Sequence, residues 1–202
     1  MSAVDLARIQ FALTANVHFL FVVVTLGLAP LVAIMQTRYV LTGRDVHKTM
    51  TRFFGQIYVV NYGIGIVTGL VMEFQFGLNW TGVSQVAGQV FGAPLALETL
   101  IAFFAEATFL GMWIFGWDRL PKAVHLALIY LVTLTAYASA YFIMVANGFL
   151  QHPVGAALHD GTARITDVAA LLTNPNAIGA VAHIVPAAVF VGGVVVAGIS
   201  AW

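Results

Sequence analysis

Two carboxylates, Glu98 and Glu106, stand in "APLALETLIAFFAEATFLGMWIFGW", an apolar stretch from Ala93 to Trp117 that contains no basic residue. Three more ionisable groups, His18, Glu73 and His183, fall inside or at the ends of other apolar runs. A charge at bilayer depth costs roughly 2.5 to 3.5 kcal/mol, so each of the five is a candidate for function. A carboxyl group held at such depth must be neutral, paired or on a water-filled path, and such a group can take up and pass on protons. Single histidines on separate spans, with no partner four residues away, do not resemble a H-E-x-x-H zinc site. They suit haem, whose iron takes one protein nitrogen on each axial side and whose macrocycle fills an apolar gap between helices. The chain has no cysteine. Disulfides, thiolate metal sites, iron-sulfur clusters and C-x-x-C-H haem attachment are therefore excluded.

Each candidate also has a structural reading. His18 could be a hydrogen-bonded packing residue, and His183, beside a polar connection, could snorkel to the interface. Glu73 in "MEFQFGLNW" and Glu98, one turn inside its span, could both reach water. Glu106 is the hardest of the five to explain by packing alone. The aromatic residues around it read as packing or interfacial belt and define no cofactor box.

The elements that must position these groups follow from composition. The chain is 61% hydrophobic and 8% charged, against roughly 25% charged in soluble domains, and its mean hydropathy is +0.96. It reads as an all-α, polytopic transmembrane helix bundle. Apolar runs of at least ~20 residues, enough to cross a bilayer core of ~30 Å, lie near residues 11–35, 53–76, 94–115 and 123–149, with a further run from 183 to 202. That gives four complete spans and the start of a fifth. The last run is still apolar at Trp202, as expected of a chain cut short. The run from Phe11 is too long for a signal peptide and is read as a retained first span.

Arg38, Arg44, Lys48 and Arg52 lie between the first two spans, and Arg119 and Lys122 between the third and fourth. By the positive-inside rule these connections face the cytoplasm, placing the N-terminus, the loop from Gly77 to Ala93 and the segment from Leu150 to Ala182 outside. The last segment could hold a short helix from Thr166 or Asp167 to just before Asn174-Pro175. On this orientation His18 lies roughly 10 Å and Glu98 roughly 6 Å below the outer surface, and Glu106 about 12 Å deeper than Glu98 and about 80° further round a regular helix. Gly65 and Gly69 form a G-x-x-x-G pair suited to close helix packing. The glycines of "NYGIGIVTGL" miss the dinucleotide fingerprint. The net charge is zero, and nothing points to nucleic acid.

The stretches "LARIQFALTANVHFLFVVVTLGLAPLVAIM", "GLVMEFQFGLNW", "FGAPLALETLIAFFAEATFLGMWIFGWDRL", "ANGFLQHP" and "GISAW", in this order, resemble subunit I of the cytochrome bd-type quinol oxidases. The resemblance implies a bacterial cytoplasmic-membrane enzyme that passes electrons from quinol to dioxygen, forming water with protons from the cytoplasm. It implies a low-spin haem b, a high-spin haem b and a haem d, with subunit II as partner, small accessory subunits left open, and membrane lipid around the bundle. His18 matches the axial ligand of a high-spin haem, taken as the d-type, and His183 an axial ligand of the low-spin haem b. Glu98 matches the acid beside the high-spin haems, as ligand or as proton donor. Glu106, with Ser139, matches the proton route. Where the family pattern has Glu-Ser-Thr, this chain has Glu106-Ala107-Thr108, which leaves Thr108 as the nearer hydroxyl. The quinol-binding loop, the methionine opposite His183 and the C-terminal spans are expected beyond Trp202, so this chain alone should be inactive. An ion-coupled transporter using intramembrane carboxylates is the alternative, but neither repeated halves nor broken helices are evident in the sequence.

Overall fold

The computed structural model describes residues 1–202, the side chains of residues 101 and 102 excepted. Helix α1 (Ala3–Thr42) starts at a capping box, in which Ser2 and Asp5 satisfy each other's backbone N–H groups, and stops at Gly43, whose φ of 66° is the left-handed conformation glycine adopts without penalty. Two residues later α2 (Asp45–Asn79) begins and runs back beside α1. A single break at Trp80 leads into α3 (Thr81–Leu97), a π-helical segment (Glu98–Phe103) and α4 (Phe104–Phe115). Then come α5 (Lys122–Gln151), strands β1 (Ala156–His159) and β2 (Thr162–Ile165), the short α6 (Val168–Leu172) and α7 (Pro175–Ala201). Among the described residues, five helical stretches are long and apolar enough to cross a membrane: Ala3–Thr42, Asp45–Asn79, Thr81–Phe115, Lys122–Gln151 and Val168–Ala201.

Polar side chains and small residues lock the bundle. From α2, the Asn61 amide donates to the Phe21 carbonyl and to Thr25 Oγ1, both at 2.6 Å. Nearer the other end, Gln75 donates to Thr14 at 3.1 Å, and Phe11 sets its edge against Phe76 and Trp80. Helices α1 and α7 cross backbone to backbone at Gly27 and Gly192, where a Cβ on either glycine would strike the opposite main chain. Leu28, Val32, Tyr58, Trp113, Ile129 and Val132 form the principal core between α1, α2, α4 and α5. Large apolar residues such as Leu20, Val67, Phe104, Phe115 and Phe190 remain more than half exposed on the outside, the pattern of a surface that meets lipid or another subunit.

The basic connections meet at one end. Asp118 lies 3.8 Å from Lys48 and 3.4 Å from Arg52, Arg52 covers the Trp117 ring, and Lys122 covers Tyr39. Just inside, Trp113 Nε1 donates to Gln36 Oε1 at 2.7 Å, Gln36 Nε2 reaches His125 Nδ1 at 2.8 Å, and His125 Nε2 reaches the Trp113 carbonyl at 2.7 Å. This closed ring pairs three buried polar groups and ties α1, α4 and α5 together.

At the opposite end the structure differs from the sequence expectation. The segment from Gly77 to Ala93, expected as a loop, is helical apart from Trp80; its glycines hide an apolar stripe that buries Val90 and Phe91 against Val145 and Phe149. The β-hairpin was not expected. Its two-residue turn, Asp160-Gly161, has φ of 50° and 77°, as a type I′ hairpin turn requires. The short helix α6 lies where "TDVAALLTNP" suggests it, capped by Asp167, whose carboxylate accepts from the Ala170 N–H at 3.0 Å. Asn174 caps α7, which therefore begins eight residues before His183.

Candidate functional site

A cavity of about 560 Å³ opens between α1, α2, the α3–π–α4 stretch, α5 and α7, and His18, Glu73, Glu98, Glu106 and Ser139 all lie on its wall. Most of the remaining lining is apolar, including Val22, Leu26, Phe76, Met144 and Ile184. The volume falls in the ~300–1,000 Å³ range of small-molecule and cofactor sites.

His18 is held from behind by α2. Its Nδ1 lies 3.0 Å from the Gly65 carbonyl oxygen and 3.0 Å from Thr68 Oγ1. A carbonyl only accepts, so this network assigns the proton to Nδ1 and leaves the lone pair on Nε2, which makes no hydrogen bond among the described residues. That is the arrangement of a metal-ligating histidine, whose second nitrogen donates to a backbone or side-chain oxygen that fixes the ring. The two glycines serve the imidazole differently: a Cβ on Gly69 would lie 3.0 Å from His18 Cε1, so Gly69 makes the room, while Gly65 supplies its carbonyl oxygen.

The π-helical segment begins at Glu98, four residues after Pro94, which has no N–H for the helical ladder. A π-turn takes up more residues than a regular turn, so the 80° separation expected of Glu98 and Glu106 does not apply, and both reach the cavity. Glu98 is half-buried. Ser139, on α5, donates to its Oε1 at 2.5 Å, and Thr99 donates to its Oε2 at 3.1 Å. The Thr99 hydroxyl also lies 3.4 Å from Glu73 Oε1, so a second, exposed carboxylate joins the rim of this group. Glu106 is only 4% exposed, and Tyr58 of α2, wholly buried, donates to its Oε1 at 3.1 Å. The Tyr62 ring stacks 6.0 Å from that of Tyr58 and itself lines the cavity.

Ser139 was expected on the route with Glu106, and the structure pairs it with Glu98. Thr108, the expected hydroxyl next to Glu106, is exposed and donates to the Phe104 carbonyl of its own helix at 2.8 Å. His183 stands apart: it is exposed on α7, while its neighbour Ile184 lines the cavity. Sequence reasoning missed Tyr58, Tyr62, Thr68 and Thr99. The first two stand four residues apart on one face of α2, and Thr68 sits three residues after Gly65; neither spacing says which helix they meet.

The donor set fits a haem. Among the described residues no three His, Asp or Glu side chains converge on one point, so the site suits a cofactor that needs only a single protein nitrogen, which His18 would supply, rather than a bare metal ion. Residues 6–202 match the sequence profile of the family described as cytochrome bd terminal oxidase subunit I. The chain is 46% identical over 202 residues to the cytochrome bd ubiquinol oxidase subunit 1 of Bacillus subtilis, covering all of this chain and 43% of the relative. It is 48% identical over 201 residues to the cytochrome bd-II ubiquinol oxidase subunit 1 of Escherichia coli, covering 98% and 39% respectively. The bd oxidase structure from Geobacillus thermodenitrificans superposes with a TM-score of 0.92 at 33% identity, over 99% of this chain and 46% of that one. The chain therefore spans less than half the length of the relatives it matches.

Proposed function

The chain belongs to the cytochrome bd terminal oxidase subunit I family, and from that premise we propose that it supplies the haem-binding and proton-delivering helices of a quinol oxidase that reduces dioxygen to water in a bacterial cytoplasmic membrane. The observation that carries the reading is the common cavity: a histidine with its Nε2 lone pair available, the carboxyl groups of Glu98 and Glu106 with that of Glu73 at the rim, and a serine hydroxyl face one mostly apolar space.

His18 would hold a high-spin haem, assigned as the d-type, with the Gly65 carbonyl and Thr68 fixing the imidazole ring. His183, on the exposed face of α7, would hold the low-spin haem b together with a ligand from outside this chain. A second high-spin haem, of b type, would complete the set. Bound, such haems supply electron transfer and the iron at which oxygen is reduced. The remaining work falls to this chain's own side chains. Glu106, buried at depth with one oxygen held by Tyr58, takes up a proton from the side of the basic connections. Glu98, bonded by Ser139 and Thr99, stores or donates a proton on the far wall. The apolar lining keeps bulk water out, so protons reach the site through these groups. With the N-terminus outside, quinol oxidation releases protons on the opposite face. Subunit II completes the assembly.

The test is Glu106→Gln in the full-length two-subunit oxidase. The reading expects oxygen consumption to fall at least tenfold with haem spectra unchanged. Near-normal consumption with unchanged spectra would remove the proton role. For His183→Ala, a retained low-spin signal would contradict that ligand assignment.

A further inference from the structure

Glu106 lacks any hydroxyl partner on its own helix. Ala107 has none to give, and that of Thr108 is committed to the Phe104 carbonyl. The hydroxyl comes from another helix: Tyr58, 0% exposed in the principal core, donates to Glu106 Oε1 at 3.1 Å. With Oε1 taken, Oε2 is the oxygen left for the cavity that Glu106 lines. One turn along α2, Tyr62 lines the same cavity, and its hydroxyl oxygen is buried without a hydrogen-bond partner among the described residues. A buried hydroxyl left unpaired is destabilising, so one kept at this wall is expected to bond a group within the cavity.

We propose that Tyr58 is a positioning residue of the proton route: it anchors the Glu106 carboxyl from α2 and turns the free oxygen toward the cavity face on which the Tyr62 hydroxyl lies. Neither tyrosine is consumed. A proton leaving Glu106 departs from Oε2, while the O–H of Tyr58 stays in its bond to Oε1. The site thereby obtains across the α2–α4 interface the hydrogen bond its own helix does not provide. It also couples Glu106 to the α2 face that holds His18 through Gly65 and Thr68.

This inference rests on Glu106 carrying protons, and its test separates the two claims. In the full-length oxidase, the redox-difference infrared band of the Glu106 carboxyl is identified by its loss in Glu106→Gln. Tyr58→Phe keeps the ring and removes the hydroxyl. The expected result is a Glu106 band shifted to higher frequency, turnover lower by about 3- to 18-fold, and unchanged quinol KM and haem spectra. Should Tyr58→Phe fail to assemble, a fluorinated tyrosine at position 58 keeps the shape and strengthens the donor, and the band moves to lower frequency instead. A band unmoved by either replacement overturns the role of Tyr58, whatever the turnover. Normal turnover in Glu106→Gln overturns the proton reading beneath it and leaves the infrared result standing.

Discussion

Ser139 offers the sharpest discrimination between the route expected from sequence and the one the geometry supports. Its hydroxyl lies 2.5 Å from Glu98 Oε1, at the short limit for a hydroxyl–oxygen bond. It shares no hydrogen-bond partner with Glu106, whose bond is to Tyr58. Side-chain hydrogen bonds within membrane bundles average about 0.6 kcal/mol and reach about 1.7; the shortness of this one argues for about 1 to 1.7 kcal/mol, or about 5- to 18-fold in rate if the bond is made in the transition state. Ser139→Ala should therefore slow turnover by that factor. Combined with Glu98→Gln, the serine change should cost almost nothing more, because its partner is already altered. Combined with Glu106→Gln, the two effects should multiply to within about twofold. The assay is oxygen consumption by the complete oxidase at matched haem content, with rates converted to barrier differences around each cycle. The reasoning fails if Ser139→Ala multiplies with Glu98→Gln and is instead coupled to Glu106→Gln.

Three further outcomes follow from other parts of the bundle. Thr68→Val removes one of the two oxygens that hold His18 Nδ1; high-spin haem retention on dilution should fall by about 10-fold or more, read from the visible spectrum, with the low-spin band unchanged. Gly27→Leu drives a side chain into the Ala188 and Gly192 backbone and should abolish assembled oxidase on native gels, whereas Gly63→Ala, with open space at its Cβ, should assemble normally. Asp118→Asn disrupts ion pairs whose acid is 78% exposed; thermal stability of the purified complex should change by less than about 1 kcal/mol.

Much of the bundle was legible because its signals are local. Hydropathy marks the apolar runs, and the pair Asn174-Pro175 marks a helix end through backbone chemistry that needs no partner. Asp160-Gly161 carried the hairpin signal too, but the flanking strands are only four residues long and do not alternate clearly. The stretch from Thr81 to Ala93 misled through its glycines, which lower helix propensity while tertiary packing of Val90 and Phe91 decides the outcome. Site residues divide in the same way. His18, Glu98 and Glu106 stand out because an ionisable group in an apolar run is anomalous wherever it faces. Tyr58 and Thr68 are ordinary in a membrane helix, and their roles depend on which side chain of another helix they meet. The bond from Ser139 to Glu98 was not legible because the π-turn after Pro94 changes the register between the two acids, and a regular-helix estimate carries no sign of it.

The central claim is that the cavity beside His18 holds a haem through the His18 nitrogen that Gly65 and Thr68 leave available. Its most direct test is the visible and resonance Raman spectrum of the full-length oxidase carrying His18→Ala, taken with and without added imidazole. The account predicts that the high-spin haem signal is lost, that the low-spin band persists, and that imidazole entering the vacated space restores the high-spin signal. A full high-spin signal in His18→Ala without imidazole would contradict it.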